Sequence, residues 1–323
     1  MRQSLVVTIV LVLLIPALAV LAQTKGPKTV KRAQPPKLSS GNFYTDAFKE
    51  GLVGERPGDL GKAATAVAGT PAAGGTGAAS STGSGAGGVA GSGWDALISA
   101  TTIENEIKSI KLTVDQNVTT PSDFAGKGYK LARRDLSVLA MLFAITAEYN
   151  GEVRWKADAP AARDVFARTA SNSKVGTQQV WQEAKLRKEE LTDLVGGSSP
   201  YGGKGGEAKA SWKDVCNRSP LMQHLENVWE PRLKPALNDK GQFTANADKV
   251  AHDAELFAAI GAVLAKEGME DADGEEYVKF CNDLRDGAKQ IVDAVKSKNY
   301  EQAASGGAAI GKACTECHEN YRA

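Results

Sequence analysis

The chain has 323 residues, enough for about two domains at ~100–200 residues each, and only 6% of them are aromatic. Its 39 basic and 38 acidic side chains leave a formal net charge of +1, so there is no electrostatic reason to expect nucleic acid as a partner. Four cysteines (Cys216, Cys281, Cys314 and Cys317) are too few for a disulfide scaffold in a chain this long, and two of them stand three apart directly before His318.

Leu5 to Ala22 is a nearly unbroken apolar run behind Arg2. Val20 and Ala22 are small residues where a signal peptidase reads, so 1–22 is expected to be a signal peptide cleaved after Ala22. The run has 18 residues, which also reaches the roughly 17–25 needed by a membrane-spanning helix, and an uncleaved anchor is the competing expectation. Lys25, Lys28, Lys31 and Arg32 follow it, although basic residues there favour the inner side of a membrane. The rest of the chain is expected to be periplasmic or exported, free or tethered to a membrane by its N-terminus.

Residues 23–93 read as a linker. Residues 23–40 are basic and proline-containing, and Phe43, Tyr44, Phe48, Leu52 and Val53 mark either a short docking segment or a solvated stub. Residues 62–93 are almost wholly Gly, Ala, Ser and Thr, which bury too little apolar surface to offset the entropy of ordering.

From Trp94 the pattern turns helical. Leu97, Ile103, Ile107, Ile110 and Val114 recur at three- and four-residue steps, and Leu136, Leu139, Ala140, Phe143 and Ala147 continue the pattern between Tyr129 and Tyr149. Two shorter amphipathic stretches follow at 160–170 and 174–195. A glycine-rich second linker covers 198–210. Beyond it, helices are expected at about 212–236, 246–267, 275–297 and 300–320. The expected fold is all-α, with a four-helix bundle over 94–197 and another over 211–323.

The two regions pattern as copies. At an offset of 118, Trp94 matches Trp212, Leu97 matches Val215, Ile103 matches Leu221, Ile107 matches Leu225 and Ile110 matches Val228. One residue further in offset, Phe124 meets Phe243 and Leu131 meets Val250.

Cys314-Thr315-Glu316-Cys317-His318 carries the chemistry. Cysteines three apart on a helix share a face, with the histidine one turn beyond the first. Two thiols can add to the two vinyl groups of a haem while the imidazole reaches the iron, and C-x-x-C-H is the signature of c-type attachment. Zinc would need a fourth ligand, usually from a second Cys/His pair at set spacing, and no such pair exists. Ala303, Ala304, Gly306, Gly307, Ala308, Ala309, Gly311 and Ala313 keep this last helix thin, so a flat macrocycle is expected to lie close to its backbone.

This C-terminal motif on a fourth helix resembles the cytochrome c prime family and its low-spin relatives. Arg218, Leu221, Met222, Gln223, Leu225, Trp229 and Pro231 resemble the family's first helix. The resemblance covers about 211–323. It implies one covalent haem c, with Cys314 and Cys317 as attachment points and His318 as axial iron ligand. It also implies Arg218 beside a propionate and Met222 on the distal face. Met222 has two readings: a thioether sixth ligand, or a packed residue leaving the iron open to a small gas such as nitric oxide. His224 and His252 lie off the apolar stripes and are expected at the surface, His252 alternatively between domains. Cys216 and Cys281 are either a disulfide or two buried free thiols.

The first region has neither cysteine nor histidine, with Ala100 where Arg218 would align and Glu104 where Met222 would. It is expected to be a degenerate copy without haem. It either packs on the second as an intramolecular pseudo-dimer partner or serves as a helical spacer. The expected function is electron transfer with redox partner proteins, the alternative being gas binding by a five-coordinate haem. No catalytic constellation suggests an enzyme.

Overall fold

The computed structural model describes residues 93–204, 206 and 209–321. The expected signal or anchor segment 1–22, all of the 23–93 linker except Gly93, and residues 205, 207 and 208 of the second linker lie outside them. Every regular element among the described residues is helical, so the fold is all-α. No helix among them is long and apolar enough to cross a membrane.

The longer helices are α1 (Ala100–Asn117), α2 (Tyr129–Glu148), α3 (Ala159–Asn172), α4 (Gln178–Gly196), α5 (Arg218–Val228), α6 (Ala247–Leu264), α7 (Glu275–Ser297) and α8 (Tyr300–Tyr321). α1 starts where the Ser99 side chain accepts the Thr102 N–H at 3.2 Å, satisfying one of the free donors at a helix N-terminus. Its buried residues, Ile103, Glu106, Ile107, Ile110 and Val114, form one stripe. α2 is buried without interruption from Asp135 to Thr146, so it has neighbours on several sides. Phe143 of α2 stacks on Phe166 of α3, with ring centroids 5.5 Å apart. α4 is capped by Thr177 and ends at Gly197, whose φ of 99° suits glycine. Each of these four helices packs on the next, and α4 returns to α1.

The second linker is held at its start. Asp158 accepts hydrogen bonds from Ser199 Oγ at 2.7 Å and from Gly203 N at 3.1 Å. Tyr201 donates to Glu190 at 2.6 Å.

The helix expected at 212–236 is broken in two places. Cys216 is extended (φ −153°), so Trp212–Val215 is a separate turn and α5 begins at Arg218. Pro220 has no N–H to return to the Cys216 carbonyl, so a helix through this point would lose a bond. Further on, Pro231 and Pro235 remove two more donors. The chain widens into a π turn over Trp229–Leu233 before resuming as Lys234–Asn238. α5 packs on α6, α6 on α7 and α7 on α8, and α8 closes back onto Lys234–Asn238.

α7 and α8 approach most closely at their glycines. A Cβ on Gly306 would stand 2.7 Å from the Gly287 carbonyl oxygen and 2.8 Å from Ile291 Cγ1. Gly306→Ala therefore forces the two backbones apart and is expected to cost about 1–3 kcal/mol in urea unfolding, the usual range for overpacking. An unchanged unfolding midpoint would contradict this packing.

The first four helices meet the last four along α2 and α5, with α1 touching α6. Trp94 and Trp212 pack with ring centroids 5.5 Å apart. Ser99 donates to Glu255 from both N (2.9 Å) and Oγ (2.7 Å).

Candidate functional site

α8 begins where the Asn299 side chain accepts the Gln302 N–H at 3.1 Å. Its buried positions, Ala303, Gly306, Gly307, Ile310 and Ala313, step by three and four along one face. Cys314, Cys317 and Tyr321 extend that face toward the C-terminus, each only half-buried. His318 is one turn past Cys314, about 40° round the helix from it, and is exposed. The three motif residues thus span about 100° of one helix surface.

Gly306 and Gly307 of α8 lie against protein neighbours. Gly306 lies against α7, and a Cβ on Gly307 would be 2.9 Å from Leu237 Cδ1. Their smallness is used by protein neighbours about two turns before Cys314. Only Gly311 looks onto a looser surface, where the nearest atom to a Cβ would be Trp229 Cζ2 at 3.9 Å.

α8 packs chiefly on α7 and also on Lys234–Asn238, while Arg218–Val228 packs chiefly on α2 and the π turn and less on α6. Arg218 of α5 stands at the end of the bundle that carries the motif, near enough for its charge to reach Cys317. Arg218 and Met222 share a face of α5 by their spacing of four, and both are partly buried, as is Trp229 at the start of the π turn. Trp229 is opposite Gly311, and the Arg218 charge reaches the Cys317 thiol. Met222 lies between them along the chain and is half-buried.

Arg218 is held at this end by Glu270 at 3.0 Å and by Asp271, and its guanidinium lies 5.4 Å from the centroid of the Tyr277 ring. Tyr277 in turn packs edge-on against Tyr321 at 5.2 Å. The Tyr277 hydroxyl is buried beside Arg218 and Cys281, and burial pushes it well above the ordinary phenol range. Sequence reasoning missed Tyr277 and Asp271, whose loop and helix carry no motif.

All four cysteines are free thiols, and Cys216 and Cys281 are buried. Burial raises the thiols of Cys216 and Cys281 to about 12 and that of Cys314 to about 11. Cys317 is raised by burial against the opposing pull of Arg218. Cys281 lies one turn from Tyr277 on α7, near enough to Cys317 for the two sulfurs to interact electrostatically.

His224 is a correction. It is 8% exposed rather than at the surface, because α5 buries a second face against the first four helices. Its Nε2 is 3.3 Å from Glu106 Oε1, a charge contact without hydrogen-bond alignment. His252, half-buried, hydrogen-bonds Glu106 Oε2 through Nε2 at 3.0 Å, which is the interdomain placement. Glu106 is 3% exposed. Burial pushes its carboxyl up, but the two imidazoles more than offset this and hold it down at about 2. An open hollow of about 570 Å³ lies beside this cluster, lined by Asn105, Arg232, Lys249, His252 and Asp253, away from Cys314–His318.

Among the described residues no three His, Cys, Asp or Glu side chains are grouped to hold a metal ion by themselves. Two thiols and an imidazole on one helix, with the Arg218 charge reaching one of the thiols, are the donor types that a macrocycle bringing its own iron would use. Comparison with protein-family models, with curated proteins and with solved structures finds no match.

Proposed function

We propose that the chain is a c-type cytochrome of cytochrome c prime type, exported to the periplasm, that carries one haem c and transfers electrons. The observation that carries this reading is Cys314-x-x-Cys317-His318 on one face of the last turns of α8, with Arg218 of α5 at the same end. Cys314 and Cys317 would hold the group covalently, each thiol adding across a vinyl double bond with no oxidant required, and His318 and Met222 would hold its iron. Arg218, now paired with Glu270 and Asp271, is the partner for a propionate. The bound haem supplies one-electron chemistry, while the protein sets ligation, burial and polarity.

In the same reading α5–α8 form the haem-binding bundle and α1–α4 a degenerate copy without haem, joined as an intramolecular pseudo-dimer. Two contacts support it. Trp94 touches Trp212 and Glu106 touches His224, and both pairs are 118 residues apart, the repeat offset. Matched residues that touch each other are what a two-fold axis between copies produces.

Optical spectra test the function. The dithionite-reduced protein is expected to show sharp low-spin α and β bands that carbon monoxide does not move. A high-spin spectrum that shifts with carbon monoxide would replace electron transfer by binding of a small gas at an open iron.

A further inference from the structure

Glu106 is a carboxylate set into the apolar stripe of α1. Burying a charge costs several kcal/mol unless its oxygens are partnered, and here each oxygen meets an imidazole from a different helix. His224 belongs to α5 and His252 to α6. The other charged groups near it are Asp253 of α6, buried, and Arg232 of the π turn, which pair at 2.7 Å. Glu106 is therefore the one negative charge for both histidines from the α1 side.

His224 is two residues from Met222, about 200° round α5. The face of α5 opposite the Arg218–Met222 stripe is thus the face held by the first four helices. The largest helix contact of α5 is with α2, so the first four helices hold it from the side away from Arg218 and Met222.

We infer that Glu106 is a positioning residue: through His224 and His252 the region without haem fixes where α5, with Met222 and Arg218, stands relative to the haem-bearing helix. This rests on the cytochrome reading. It assigns the degenerate copy a role in ligation that a spacer would lack.

The test uses the full-length, haem-loaded protein and its Glu106→Gln and Glu106→Ala variants. Both are expected to retain covalent haem, because neither touches Cys314–His318. Glu106→Ala is expected to raise the high-spin fraction of the oxidised protein and to speed carbon monoxide binding to the reduced protein roughly tenfold, within the range of coupling between linked sites. Glu106→Gln, which keeps the shape and one acceptor oxygen but loses the charge, should fall between, and it serves as the readout if the alanine variant does not fold. Spin state and carbon monoxide rate unchanged in both variants, while the His224 and His252 ring signals shift in NMR, would reduce Glu106 to a structural tie and overturn the inference alone. Unaltered protein without covalent haem would overturn the cytochrome reading, and this inference with it.

Discussion

Cys314→Ser combined with Cys317→Ser, produced alongside haem-attachment machinery, is expected to give a folded protein with no haem that survives acidified-acetone extraction. The loss is complete because no other cysteine is placed to substitute. Cys216 is on the approach to α5, and Cys281, although near Cys317, projects from α7 and lies outside the C-x-x-C-H spacing. Cys216→Ser and Cys281→Ser are each expected to keep a full complement of covalent haem. Single replacement of Cys314 or Cys317 leaves one thioether, which keeps a vinyl group conjugated and displaces the α band of the pyridine haemochrome. Helix content should change little in the double variant, since both thiols are half-exposed at the end of α8. Retention of extraction-resistant haem in the double variant would mean attachment elsewhere.

Glu106→Gln is expected to remove a large part of the acid dependence of stability. The folded-state carboxyl lies at about 2 against an ordinary value of 4.5, so the unfolded chain binds the proton more readily. The carboxylate's contribution is fully present above about pH 4.5 and is lost as pH falls toward 2. Its size is on the order of 3 kcal/mol. Urea unfolding of the unaltered protein and the variant between pH 7 and pH 2 measures it as the difference between two curves, which cancels other carboxylates. The curves are expected to diverge most above pH 4.5 and to converge near pH 2. Parallel curves would mean that His224 and His252 do not hold Glu106 ionised.

Much of the helical layout was legible from periodicity. α7 was expected at 275–297 and α8 at 300–320, and the structure places them at Glu275–Ser297 and Tyr300–Tyr321. These helices have one buried face each, which a single hydrophobic stripe describes well. Breaks at Cys216 and in the π turn were not legible, because Pro220, Pro231 and Pro235 act on backbone bonds that the side-chain pattern does not record.

His224 was misplaced for a different reason. α5 has two buried faces, one toward α6 and one toward α2, and reading a single stripe sends the residues of the second face to solvent. A signal for the cluster was present at Glu106, an acid between Ile103 and Ile110 on the stripe that α1 buries. A carboxylate there demands partners. What sequence could not supply was that those partners are two histidines more than a hundred residues away. The small residues of α8 signal a close neighbour, and at Gly306 and Gly307 that neighbour is protein. Spacing shows that a neighbour comes close, and only packing shows that Gly287 and Leu237 are the neighbours.

Covalent haem at Cys314 and Cys317 is open to mass spectrometry of the protease-derived peptide containing Cys314–His318, taken from protein made with haem-attachment machinery. That peptide is expected at its own mass plus one haem, with fragment ions locating the addition on both cysteines. A peptide at its unmodified mass, with both thiols open to alkylation, would contradict covalent attachment there.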